Sequence, residues 1–162
     1  MIKFFGLLSN KKKIKIESVI SIYVAALNNV IENGFVEIQD FINNNNNLES
    51  NPNIQENMIT WFSNVIFLGN LKNLENYFEE SEVVNLRKNI LEEIYKDLDE
   101  NEQHLAIERF VGYENYFNDI RNKGDVVINT MAYAIFEKYN INDYQGDLFK
   151  RKNKPNPIFF NE

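Results

Sequence analysis

Apolar residues return every three or four positions along most of this chain, and two-residue alternation is nearly absent. A 3.6-residue period lays an apolar stripe along one side of a helix, whereas a half-buried strand needs a period of two. The one alternating run, 12–17, is too short for a strand. The pattern therefore predicts an all-α fold, a single compact helical domain of about six or seven helices with an irregular C-terminal tail. Three stretches are expected within 1–162: a basic and apolar segment over 1–15, an acidic helical body over 16–139, and an irregular basic tail over 140–162.

The strongest stripe runs over 17–33, through Val19, Ile20, Tyr23, Val24, Leu27, Val30 and Ile31, and Ile22, Ala25 and Ala26 widen it. A helix apolar on most sides is expected at the centre of the fold. Gly34, Gly69 and Gly124 read as breaks at segment ends, since glycine disfavours helix interiors and suits C-terminal stops. Shorter stripes follow at 35–42, 55–68, 71–78, 83–98, 106–120 and 128–139, the last with Ile128, Met131, Ala132, Ile135 and Tyr139 as its face. Ser81 with Glu82, Asp99 with Glu102, and Asp125 are expected to start three of these helices. Residues 43–54 read as a loop whose Asn43 to Asn47 run is solvated, and Ile158, Phe159 and Phe160 are expected to dock on the body.

Composition narrows the chemistry. With no Cys, the chain has no disulfide framework, thiol nucleophile or thiolate metal site. With one His, it has no site that needs two imidazoles, and no GxSxG, GxGxxG or P-loop pattern is present. No cofactor and no enzymatic activity are expected. His104 and Glu108 share a helix face at i, i+4, with Glu92 and Glu93 one helix earlier, so a small helical metal-binding protein or carboxylate hydrolase is a third-ranked reading. The chain also holds 28 Asn and only 5 Ala, a bias that AT-rich codons explain better than helix propensity does.

Charge carries the leading expectation. Residues 16–149 hold 23 acids against 8 bases, and 75–119 alone hold 13 against 4. Such a body repels nucleic-acid phosphates and attracts basic proteins. The expected function is a non-catalytic binding module for a basic partner, a toxin or a DNA-binding protein, with no direct nucleic-acid contact. The candidate contact residues are Glu79, Glu80, Glu82, Glu92, Glu93, Asp97, Asp99, Glu100 and Glu102. Phe110, Tyr113, Tyr116 and Phe117 could stack on bases, but with Glu108, Glu114 and Asp119 beside them they are read as core.

The alternative is a membrane surface. Phe4, Phe5, Leu7 and Leu8 adjoin Lys11, Lys12, Lys13 and Lys15, an apolar group beside a polybasic patch. Packing of the same four apolar residues on the domain itself is the favoured reading of them. The start lacks the order of a secretory signal, so a cytoplasmic location is expected.

Asn33-Gly34-Phe35-Val36-Glu37-Ile38, after a long apolar helix and before an Asn-rich loop, resembles the signature of the DNA-mimic-protein family, small all-helical bacterial proteins. The family segment lies at a helix junction and has two glycines where this chain has one, and Glu37 and Ile38 stand where Gln and an aromatic are expected. Leu68-Gly69-Asn70-Leu71 matches the place of a family turn, and 113–117 with a helix ending at Tyr139 is compatible. The resemblance implies an all-helical fold whose acidic surface imitates DNA phosphates and occupies a DNA-binding protein.

Overall fold

The computed structural model describes residues 15–124 and 126–157, with the side chains of 121–124 outside the description. Six α-helices lie among the described residues: α1 (Ile16–Asn43), α2 (Ile59–Asn73), α3 (Glu80–Ile94), α4 (Glu100–Gly124), α5 (Val127–Lys138) and the single turn α6 (Asp147–Lys150). Short 3-10 turns occupy Glu56–Met58, Leu74–Asn76 and Ile141–Tyr144, and one isolated bridge joins Leu48 to Gln145. The all-α expectation holds.

The centre of the fold is α2, not α1. α2 packs against α1, α4 and α5, and it buries Phe62, Asn64, Val65, Phe67, Leu68, Gly69 and Leu71 around most of its circumference. α1 buries only one stripe, Ile20, Val24, Leu27, Ile31, Phe35 and Ile42, against α2 and α3. Its other apolar residues stay outside, with Val19 51%, Ile22 68% and Val30 53% exposed. Each side chain fully buried in this core, such as Ile42 or Phe110, contributes about 1.5–3 kcal/mol by leaving water.

Two expected glycine breaks are helix interior. α1 runs unbroken through Gly34, where an added Cβ would touch the Phe62 ring at 3.4 Å. Gly69 is buried inside α2, where an added Cβ would come within 2.9 Å of Met131 Cγ. The missing side chain lets α5 approach α2 closely, and that packing offsets the helix propensity cost of about 1 kcal/mol. Gly124 does stand at a helix end.

Three other details differ from the sequence reading. The cap of α3 is Glu79, not Ser81: the Glu79 amide donates to Glu82 Oε2 at 3.1 Å, in a capping box. In α5 the cap position is Val126, while Asp125 lies outside the described residues. Ile128 is 67% exposed, whereas Met131, Ile135 and Tyr139 pack on the core as expected, and the fully buried positions of α5 are Thr130, Ala134 and Phe136, the Thr130 hydroxyl donating to the Val126 carbonyl. Tyr77 and Phe78, expected in a helix stripe, are exposed beyond the 3-10 turn that ends α2. Asp99 does cap α4, accepting from the amides of Asn101 and Glu102.

Asparagine and glutamine hold the irregular segments. Asn43 is still helical and clamps the loop behind it, donating to the Ile54 carbonyl at 2.9 Å and accepting from its amide at 2.8 Å. Gln39 donates to the same carbonyl. In the tail, buried Gln145 donates to the Asn142 side chain and the Lys154 carbonyl and accepts from the Asn156 amide. The expected irregular tail is therefore folded down over 140–157, whereas Ile158, Phe159 and Phe160 lie outside the described residues. Among the described residues the three left-handed positions are Asn53, Asn140 and Asn153, where asparagine takes the place of glycine.

Gly112 and Gly69 predict opposite responses. Gly112 in α4 has open space where a Cβ would go. Gly112→Ala raises stability by about 0.5–1 kcal/mol through helix propensity. Gly69→Ala lowers it by about 1 kcal/mol or more, because overpacking costs about 1–3 kcal/mol. Urea unfolding of both variants against the parent checks the pair.

Candidate functional site

The acids expected to contact a partner lie on α3, on α4 and in the turn between them. Glu79, Glu80, Glu82, Glu92, Asp97, Asp99, Glu100 and Glu102 are exposed, and Glu93 is half-buried. They form two groups, at the start of α3 and from its last turn through the α3–α4 turn, about 15 Å of helix apart at their nearest members. Several already have structural partners. Glu82 caps α3 and Asp99 caps α4. Glu92 pairs with Lys88 at 3.7 Å. Glu93 accepts from the Ser21 hydroxyl at 2.6 Å and from Lys96 at 2.9 Å, two partners that hold its carboxyl below the usual range and tie α3 to α1.

Between α3 and α4 runs a shallow trough of about 470 Å³, floored by Val84, Leu91, Ile107 and Val111. α3 packs on α1, and α4 packs on α5 and α2, so the two flanking helices leave this strip open. Val84 and Val111 are exposed along it. Arg87 and Lys88 also line it, and acids engage both.

What holds the trough walls is a buried carboxylate that the sequence reading passed over. Glu114 on α4 receives both guanidinium nitrogens of Arg87 from α3, Nη1 donating to Oε1 at 2.6 Å. Lys72 Nζ from α2 stands 3.5 Å from Oε1. Burial alone would push this carboxyl up. The Arg87 hydrogen bonds and charge, with those of Lys72, more than offset it and hold the group below the usual carboxylate range. Its signal in sequence is position: Glu114 falls on the apolar stripe of Phe110 and Phe117, four residues after one and three before the other.

A second polar junction joins α2, α4 and α5. Lys138 Nζ lies 4.1 Å from the Trp61 ring centroid and 4.0 Å from that of Tyr116. Trp61 meets Tyr113 edge-on, and the Tyr116 hydroxyl donates to Glu137 at 3.0 Å. Burial first, and Glu137 second, push the Tyr116 hydroxyl well above the usual tyrosine range. The aromatic group read as core is core, with Phe110 and Phe117 fully buried.

The remaining candidates do not assemble. His104 and Glu108 form an exposed pair at 3.5 Å, and Glu92 and Glu93 do not join it. Among the described residues, no three Asp, Glu or His side chains converge as metal ligands. Phe4, Phe5, Leu7, Leu8, Lys11, Lys12 and Lys13 lie outside the described residues, and Lys15 stands exposed at the start of α1. A second cleft, of about 540 Å³ between α1, α2 and α5, is lined by Ile38, Phe41, Ile66, Met131 and Ile135, with Glu37 and Asn129 as polar groups. Its single carboxylate has no acid–base partner among the lining residues. Comparison of the chain with protein-family models, curated proteins and solved structures finds no match.

The Glu114 junction predicts a specific acid response. Its carboxyl is held below the usual range when folded, so its stabilising effect is complete above the ordinary Glu value of about 4.3 and fades as pH falls below it. Glu114→Ala costs about 3 kcal/mol at neutral pH, since Arg87 is left without its partner. Glu114→Gln flattens the acid limb of a stability–pH curve, measured by urea midpoints, relative to the parent.

Proposed function

We propose that this protein is a non-catalytic binding module whose acidic α3–α4 face engages a basic partner. The observation that carries this reading is the pairing of an uncovered apolar trough with exposed acids at both ends of its walls. A cationic amphipathic segment matches both parts: its apolar side covers Val84, Leu91, Ile107 and Val111, and its bases meet the carboxylates. The apolar contact supplies affinity, while the acids steer the encounter and favour cationic partners. Of the trough's own bases, Arg87 is taken by Glu114, and Lys88 has an exposed neighbour in Glu92 at 3.7 Å.

Two concrete forms follow the same chemistry. One is an immunity-type inhibitor that covers the basic surface of a toxin. The other is a mimic of nucleic-acid phosphates that occupies a DNA-binding protein, the form the family resemblance implies, although Asn33-Gly34-Phe35 lies inside α1 and Leu68-Gly69-Asn70-Leu71 inside α2 rather than at helix junctions. Both place the partner on the acidic face and need no cofactor.

The test uses the immobilised full chain and a lysate of its host at low and high salt. The variant for comparison is Glu80→Gln/Asp97→Asn/Glu100→Gln/Glu102→Gln, which removes charge without touching the Glu82 or Asp99 caps. Basic proteins are retained by the parent at low salt, released at high salt, and retained at least about tenfold less by the variant. Retention that ignores both salt and the four substitutions contradicts the proposal.

A further inference from the structure

The outer face of α1 faces away from the trough and differs from the rest of the surface. From Ser18 to Ile31 there is no charged residue, in a chain of which 25% is charged. Val19, Ile22, Ala25, Ala26, Asn29 and Val30 are all exposed there. By length and composition α1 is apolar enough to cross a membrane, although only 28% of its apolar window is buried. An acidic body has no need of such a face for solubility, and the cationic segment proposed for the trough has no charge to meet on it.

The pattern along this face identifies its occupant. Lys15, Val19, Ile22, Ala26, Val30, Asn33 and Glu37 are exposed and form one continuous stripe. Their spacings of 4, 3, 4, 4, 3 and 4 read the same in both directions from Ala26. The chemistry mirrors as well. Ile22 and Val30 stand equally far from Ala26, opposite charges at Lys15 and Glu37 stand equally far at the ends, and exposed Ile16 and Val36 flank the stripe symmetrically. A surface that is complementary to itself under a two-fold rotation is the requirement for an isologous dimer.

We propose that α1 pairs antiparallel with α1 of a second copy, centred on Ala26. Ile22 then meets Val30 across the axis in both directions, and Lys15 of each copy meets Glu37 of the other. The small Ala26 at the crossing lets the helix axes come within about 8–10 Å. Val19 falls opposite Asn33, the one asymmetric pair. Asn33 already donates to the Asn29 carbonyl at 2.8 Å, so its amide group is partly satisfied within its own helix. Glu17 and Glu32 lie off the stripe, so the two acidic bodies meet along a line without opposed carboxylates. The stripe is about 33 Å long and about one helix wide, smaller than the roughly 800 Å² per partner of a standard interface. The dimer is therefore reversible and concentration-dependent.

The test is a concentration series of the full chain by sedimentation equilibrium. The expected mass rises from 19.2 kDa toward twice that value. Ile22→Glu abolishes the rise while leaving the thermal melt of the monomer unchanged, since Ile22 is exposed. Lys15→Glu weakens association by roughly tenfold, and Lys15→Glu/Glu37→Lys restores it, which sets the antiparallel register. The chain has no native Cys, so Ala26→Cys oxidises to a covalent dimer, whereas Thr60→Cys on α2 does not. Four results overturn the proposal: a monomer at every concentration, a dimer indifferent to Ile22→Glu, a monomer whose Ile22→Cys thiol is shielded from maleimide, or a monomer that binds phosphatidylcholine vesicles through this face.

Discussion

Glu114 is the residue on which the shape of the proposed binding face depends. Its carboxylate is buried on α4 and is held by Arg87 from α3 and Lys72 from α2. The carboxylate needs its cations, and its pairing with Arg87 fixes the distance between α3 and α4 at this level. A buried pair of this kind contributes little net stability compared with apolar packing, but removing one partner is costly. The ion cluster accordingly reads as a spacer, and the trough over Val84, Leu91, Ile107 and Val111 is what it leaves open.

The rest of the core supports that spacing. α2 is the central element, apolar around most of its surface and thinned at Gly69 so that Met131 of α5 can lie against it. Lys138, stacked on Trp61 and Tyr116, pins α5 to α2 and α4, and Glu93 with Ser21 ties α3 to α1. Each helix bordering the trough is thus fixed from behind, and Val84 and Val111 on the open side stay exposed. That is the arrangement a binding face requires, because a ligand can cover it without displacing core contacts.

Much of the helix framework was legible in the sequence, since apolar periodicity survives in α1, α3 and α4, and Asp99 marks its cap locally. What failed to read depends on partners distant in the chain. Gly34 and Gly69 look like breaks until Phe62 and Met131 are seen against them. α1 looks more central than α2 because its apolar residues outnumber the neighbours available to cover them. Ser81 is a better cap residue than Glu79, yet the reciprocal bond from Glu82 decides the start of α3. In the site, the exposed acids were legible from composition. The Arg87–Glu114–Lys72 cluster was not, because its members are far apart in sequence and only the position of Glu114 on an apolar stripe betrays it.

If a cationic partner seats in the α3–α4 trough, methyl-resolved NMR of the full chain titrated with an amphipathic lysine-rich helical peptide shows it. Saturable shifts are expected on Val84, Leu91, Ile107 and Val111, weakened by salt, with Ile38, Ile66 and Ile135 of the other cleft unmoved. Shifts centred on that other cleft, or none in the trough at saturating peptide, would contradict it.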